Sequence, residues 1–409
     1  MMAENSEQTV KTRRVFYIPG YDPIHPRRYR ELYRKEGTEQ ARITGYDITL
    51  RPKKTKGNYG WNVAAHIDGV DVDAQVEVLV WSDIVRVSMS NSILATYRQL
   101  VQTAWVYIGS GALWRLMQLR KGPVIAALYP VGMLLVQLVI AILSGVVLYQ
   151  ALTYFGGPAW FKGIIGALGV MLAWAVLRWF KKNDGKFFAY YLMHDYAFGA
   201  ATRGANTPAL ERRMTEFGEA IAEALISDVD EVLVVGHSSG AHLGVSILAD
   251  LVRAGRVQAD GPALGFLTLG QVVPMVSFLC DAHRLRADLR YLSQREELTW
   301  IDVTAPGDGC AFALCDPVAV SGVAPEGKKW PLVFSAAFTQ SLSNKRWKEL
   351  RWRFFRLHFQ YLCAFDAPKD YDYFQITAGP HSLAERYAGR PASRSRIVKP
   401  VNKFTSTAP

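Results

Sequence analysis

The chain has 409 residues, of which 50% are hydrophobic and 20% charged. This balance excludes a disordered chain, a collagen and a coiled coil, and the length suits one large α/β domain with an insertion or a few smaller domains. Lys and Arg exceed Asp and Glu, 47 against 36, and the net charge of +11 favours phosphate-bearing partners. No zinc-finger spacing and no RNA-recognition signature occurs, so anionic lipid is expected rather than nucleic acid.

The opening MMAENSEQTVKTRR has no apolar core, so no cleavable signal peptide is expected. Arg14–Pro19 reads as a short buried strand that ends in a turn, Gly20-Tyr21-Asp22-Pro23. A basic helix is expected from His25 to Glu36, then strands at Ala41–Leu50, Asn62–Ile67 and Gln75–Trp81, where apolar and polar residues partly alternate. Residues 92–121 read as a helix carrying Trp105, Tyr107 and Trp114, lying along a membrane surface.

From Gly122 to Phe161 there is no charged residue. A span needs about 20 residues to cross a hydrocarbon core of about 30 Å, so this stretch holds one span and a turn. The first span is expected over about 124–152. The second is expected over about 160–180, with Lys162 and Arg178 snorkelling and Trp160, Trp174 and Trp179 near the interfaces. Arg115, Arg120 and Lys121 precede the pair, and Arg178, Lys181, Lys182 and Lys186 follow it, while the turn carries only Lys162. The positive-inside rule then puts both outer ends in the cytosol, against the inner (cytoplasmic) membrane. The four cysteines (Cys280, Cys310, Cys315, Cys363) contain no CxxC pair and fit plain packing in a reduced compartment.

After an aromatic helix at Lys186–Ala201, a helix starts at Pro208 and runs to about Ile226. Glu231–Val235 is a β-branched strand that leads at once into Gly236-His237-Ser238-Ser239-Gly240 and then into a helical pattern. Strands follow at Leu264–Leu269 and Leu298–Val303, with a charged helix at Leu285–Glu297 between them. Pro331–Phe338 reads as another strand, and Lys345–Phe359 as a basic, aromatic, helix-like stretch. Tyr371–Thr377 suits either a last strand or a final helix, and the tail from about Arg390 reads as disordered.

Strand, Gly-x-Ser-x-Gly and helix in this order resemble the nucleophile elbow of the α/β-hydrolase superfamily, in particular its lipases and esterases. The resemblance in element order covers most of the chain outside residues 83–200. It implies an α/β fold with a mostly parallel sheet and flanking helices, into which a two-helix transmembrane hairpin is inserted. Residues 1–82 and 201–389 then form the two parts of the hydrolase domain, 83–200 the insertion and 390–409 the tail. It further implies that Ser238 is the nucleophile between Gly236 and Gly240. The amides of Tyr21 and Ser239 become the oxyanion hole, although the turn at Tyr21 departs from the family's usual His-Gly forms. The acid must follow Ser238 at a strand end. Asp308, in the Gly-rich turn after LTWIDV, is preferred, with Asp316 and Asp302 as alternatives. The histidine comes last, which leaves His358 and His381, with His358 preferred. The implied function is a membrane-anchored serine hydrolase acting on an acyl ester or thioester, lipid-derived because the insertion brings the site to the bilayer. An acyltransferase with the same triad and a non-catalytic membrane scaffold of this fold are the alternatives. No metal or cofactor is expected, since His and Cys are scattered and neither a Walker loop nor a dinucleotide fingerprint occurs.

Overall fold

The computed structural model describes residues 9–89 and 92–409, so the first eight residues of the N-terminal part lie outside the described residues. Eight strands form one sheet: β1 (Thr12–Ile18), β2 (Asp47–Pro52), β3 (Gly60–Ile67), β4 (Val70–Val78), β5 (Glu231–His237), β6 (Ala263–Leu269), β7 (Thr299–Thr304) and β8 (Leu332–Ser335). Their spatial order is β2-β3-β4-β1-β5-β6-β7-β8. The pairs from β4 to β8 are parallel, and β2-β3-β4 is an antiparallel meander at one edge.

The central strands are apolar on both faces, as a parallel sheet covered on both sides requires. On β1, Val15 and Tyr17 enter one core layer while Phe16 and Ile18 enter the other, and on β5 Leu233 and Val235 oppose Val232 and Val234 in the same way. The first layer is closed by Tyr29 and Tyr33 of the helix Arg27–Thr44 and by Tyr361 and Phe374. The second is closed by the helices Pro208–Leu225, Gly240–Arg253 and His283–Leu292.

Several local readings shift. Ala41–Leu50 is not one strand, because the helix from Arg27 continues to Thr44, stops at left-handed Gly45, and β2 begins only at Asp47. Tyr371–Thr377 is not a strand either; Asp372 caps a helix over Tyr373–Ala378 by accepting from the Phe374 and Gln375 amides. The tail expected to be disordered is held against the domain. The Ser393 amide donates to Val333 O, the Ile397 amide to Leu314 O, and Arg286 Nε to Ser406 O. Local composition could not reveal these partners, which lie far away in sequence.

Between β4 and β5 the chain is helical. Lys121–Thr153 and Ala159–Lys182 are both long and apolar enough to cross a membrane. At 1.5 Å per residue they measure roughly 50 Å and 36 Å, against a core of about 30 Å. Ile125, Leu135, Val139, Leu143, Val147 and Val170 are exposed along them. So large an apolar surface marks an interaction face rather than an ordinary solvated one. The two helices cross where Gly145 meets Gly169, with room for no side chain between the backbones. The helices Ile93–Gly109 and Ala189–Ala201 pack beside this pair through Leu100, Leu134, Tyr190 and Met193.

Candidate active site

The parallel strands end on one side of the sheet, and a cavity of about 1160 Å³ opens there. Ser238 follows directly after β5 and adopts φ +56°. A non-glycine residue in this left-handed region costs about 1–2 kcal/mol. The packing imposes it. A Cβ on Gly240 would lie 2.1 Å from Ile18 O, and one on Gly236 would lie 2.7 Å from the Ala241 Cα. The glycines therefore let the strand turn into its helix within two residues while the helix abuts β1. The Ser238 amide donates to Leu269 O at the end of β6. Its Oγ makes no hydrogen bond among the described residues and lines the cavity.

Asp308 stands in the loop after β7 and is buried. Its Oδ2 accepts from His358 Nδ1 at 2.8 Å and from the Tyr361 hydroxyl at 3.1 Å, and its Oδ1 accepts from the Cys310 amide at 2.9 Å. These bonds leave His358 Nε2 as the imidazole's free edge. His358 lines the same cavity as Ser238. Its ring packs over Gly270, next to the Leu269 carbonyl that holds the Ser238 amide. Ser238, Asp308 and His358 are thus brought together, although no hydrogen bond joins the serine to the imidazole among the described residues.

The other candidates lie elsewhere. Asp316 caps the short helix Pro317–Val320 by accepting from the Val318 and Ala319 amides, and Lys328 neutralises it. Asp302 is buried within β7, where Thr268 Oγ1 donates to it at 2.6 Å. Burial pushes its carboxyl up to about 8, against the smaller downward pull of Thr268. His381 is exposed, and its carbonyl accepts from Arg13, which pairs with Glu231 at the start of β5. Ser238 lies past the other end of this seven-residue strand. At about 3.3 Å per residue the separation is on the order of 20 Å.

Tyr21 and Ser239 both flank the serine. A Cβ on Gly20 would come within 2.9 Å of the Ser238 Cβ, so the turn at Tyr21 lies against the serine. Neither the Tyr21 nor the Ser239 amide donates to a protein acceptor among the described residues. The turn is pinned from outside: Trp81 Nε1 donates to Pro19 O at 2.9 Å, and the Tyr191 hydroxyl donates to Tyr21 O at 2.6 Å.

Sequence reasoning missed four contributors. Tyr361 holds Asp308, and its hydroxyl also accepts from the Ala305 amide. His237 Nε2 lies 3.0 Å from His358 O and Nδ1 lies 3.2 Å from the Tyr17 hydroxyl. Since a carbonyl only accepts, Nε2 carries the proton. Burial, with His358 adding to it, holds His237 well below the usual imidazole range, so it is a neutral strut beneath His358. Tyr191 reaches the site from the inserted helix. So does Asp195, which lines the cavity and has no hydrogen-bond partner among the described residues. Burial raises Asp195 to about 7, opposed by the nearby His358. Spacing in the sequence carried no signal for any of them.

Asp308, Cys310 and His358 offer three ligand atoms within 4.8 Å of one another. They fit a cation poorly. The carboxylate already accepts from three donors, and burial pushes the Cys310 thiol up, so it keeps its proton. Comparisons with protein-family models, with curated proteins and with solved structures find no match for this chain.

Proposed function

We propose that the chain is a serine hydrolase of the α/β-hydrolase type, held in a membrane by the hairpin Lys121–Lys182 and acting on a lipid-derived acyl ester or thioester. One observation carries this reading. A serine forced to positive φ on a strand-to-helix turn shares a cavity with an imidazole whose far nitrogen is held by a buried, fully hydrogen-bonded carboxylate.

That arrangement suits nucleophilic acyl transfer. His358 Nε2 takes the Ser238 proton as Oγ attacks the acyl carbonyl, and returns it to the leaving oxygen or sulfur as the acyl-enzyme forms. Water then enters by the reverse proton transfers. Asp308 holds the tautomer with Nδ1 protonated and stabilises the imidazolium. Among the described residues the Tyr21 and Ser239 amides lack protein acceptors beside the serine, and they suit the oxyanion, where each such donor elsewhere contributes roughly 3 kcal/mol.

The insertion supports a lipid substrate because it is built into the site's walls. Tyr191 pins the turn at Tyr21, Gly122 packs on Gly309 beside the acid, and Arg120 Nε donates to Ala313 O in the same loop. The basic flanks of the hairpin favour cytosolic ends and a cytosolic catalytic domain at the inner membrane. A fluorophosphonate probe tests the reading. Covalent labelling that disappears in Ser238→Ala and slows in His358→Ala is expected; a folded chain that the probe never labels refutes it.

A further inference from the structure

The stretch expected to be one basic, aromatic helix is broken into two short helices, Asn344–Leu350 and Phe354–His358, with Trp352 at the break. Trp352 is 72% exposed and Phe354 48% exposed. Around them stand Lys345, Arg346, Lys348, Arg351, Arg353 and Arg356, against one acid, Glu349. Arg346 pairs with Asp366. None of the other five has a carboxylate partner among the described residues. Arg351 lies 5.6 Å from the Trp352 ring, so the cation and the indole present one surface.

Its position gives the patch a meaning. Phe354 lies against Gly309, which also meets Gly122, the second residue of the first apolar helix. The Phe355 ring packs tilted against Phe188, centroids 5.2 Å apart, and Phe188 follows the basic end of the second apolar helix. The segment therefore sits at the base of the hairpin, where both helices enter and leave the apolar layer. Indole rings flanked by Lys and Arg suit the head-group layer, and unpaired cations at that level attract anionic phospholipid.

We propose that residues 345–356 form a second membrane contact, in which Trp352 and Phe354 enter the interfacial layer and the unpaired cations bind anionic phospholipid head groups. The contact rests on the membrane reading of the hairpin and not on hydrolase chemistry. It would tether His358, two residues beyond Arg356, to the lipid surface.

The test uses the full chain in vesicles of brominated phosphatidylcholine, with and without phosphatidylglycerol. The Trp352 signal is taken as the difference between the unaltered chain and Trp352→Phe. Quenching of that signal, greater with phosphatidylglycerol and reduced by high salt, is expected. Combined Arg351→Glu, Arg353→Glu and Arg356→Glu should abolish the phosphatidylglycerol dependence yet still resist alkaline extraction. The corresponding lysine variant should retain it. These arginines are exposed, and circular dichroism verifies folding. An unquenched Trp352, or quenching indifferent to phosphatidylglycerol and charge reversal, overturns the proposal. Salt-sensitive RNA binding through the same cations with Trp352 unquenched would also overturn it, in favour of nucleic acid. Release of the unaltered chain by alkali refutes the anchor and the proposal with it, whatever the fluorophosphonate result.

Discussion

Replacing Ser238 by alanine and by glycine separates chemistry from strain. The serine sits at φ +56°, and its Oγ makes no hydrogen bond among the described residues. Alanine therefore loses the proposed nucleophile but keeps a Cβ in the left-handed region, with its cost of about 1–2 kcal/mol. Glycine removes that cost and adds about 0.4–1 kcal/mol of extra freedom to the unfolded chain. Taken at the middle of each range, about 1.5 less about 0.7, the difference leaves Ser238→Gly about 0.8 kcal/mol more stable than Ser238→Ala. For a chain of this size that is an upward melting shift of roughly 1–2 °C. Thermal melts of both variants in one detergent, followed by circular dichroism, measure it. Both should lack ester turnover. If the glycine variant melts with the alanine variant or below it, the turn is not strained and the packing argument from Gly236, Gly240 and Ile18 fails.

Ester turnover should fall by orders of magnitude in His358→Ala and stay close to normal in His381→Ala, and the reverse result would move the base to the other end of the sheet. Gly122→Leu should lower turnover roughly 10-fold or more, because even a Cβ added there would lie 3.2 Å from Gly309, while alkali-resistant membrane retention is unchanged. Asp302 has its folded value raised from 3.8 to about 8, so between these values the native chain holds a proton that the unfolded chain releases. The associated stability is fully present below about pH 4 and is lost as pH rises through about 8. Asp302→Asn should flatten this slope and melt higher than the unaltered chain above about pH 8; parallel melting curves across that range would show that Asp302 ionises normally.

What the residues determine by themselves is local. A β-branched run, two glycines around a serine and a helical repeat leave the backbone few options, so Glu231–Arg253 was legible as strand, turn and helix. Forty consecutive uncharged residues demand an apolar partner wherever they fold, so the hairpin was legible too. The choice among Asp302, Asp308 and Asp316, and between His358 and His381, was open because each candidate sits in a locally plausible place. Tertiary structure decides their geometry. β7 ends beside β6, so its loop brings Asp308 over the end of the sheet where Ser238 emerges, while Asp316 is consumed in capping a helix. His358 reaches that loop across 50 residues only because a broken basic segment packs there, and Arg13 draws His381 to the opposite end of the strands. The roles of Tyr361, His237 and Tyr191 could not be read from the chain, because a hydrogen bond between distant residues depends on how the layers stack and leaves no period in the sequence.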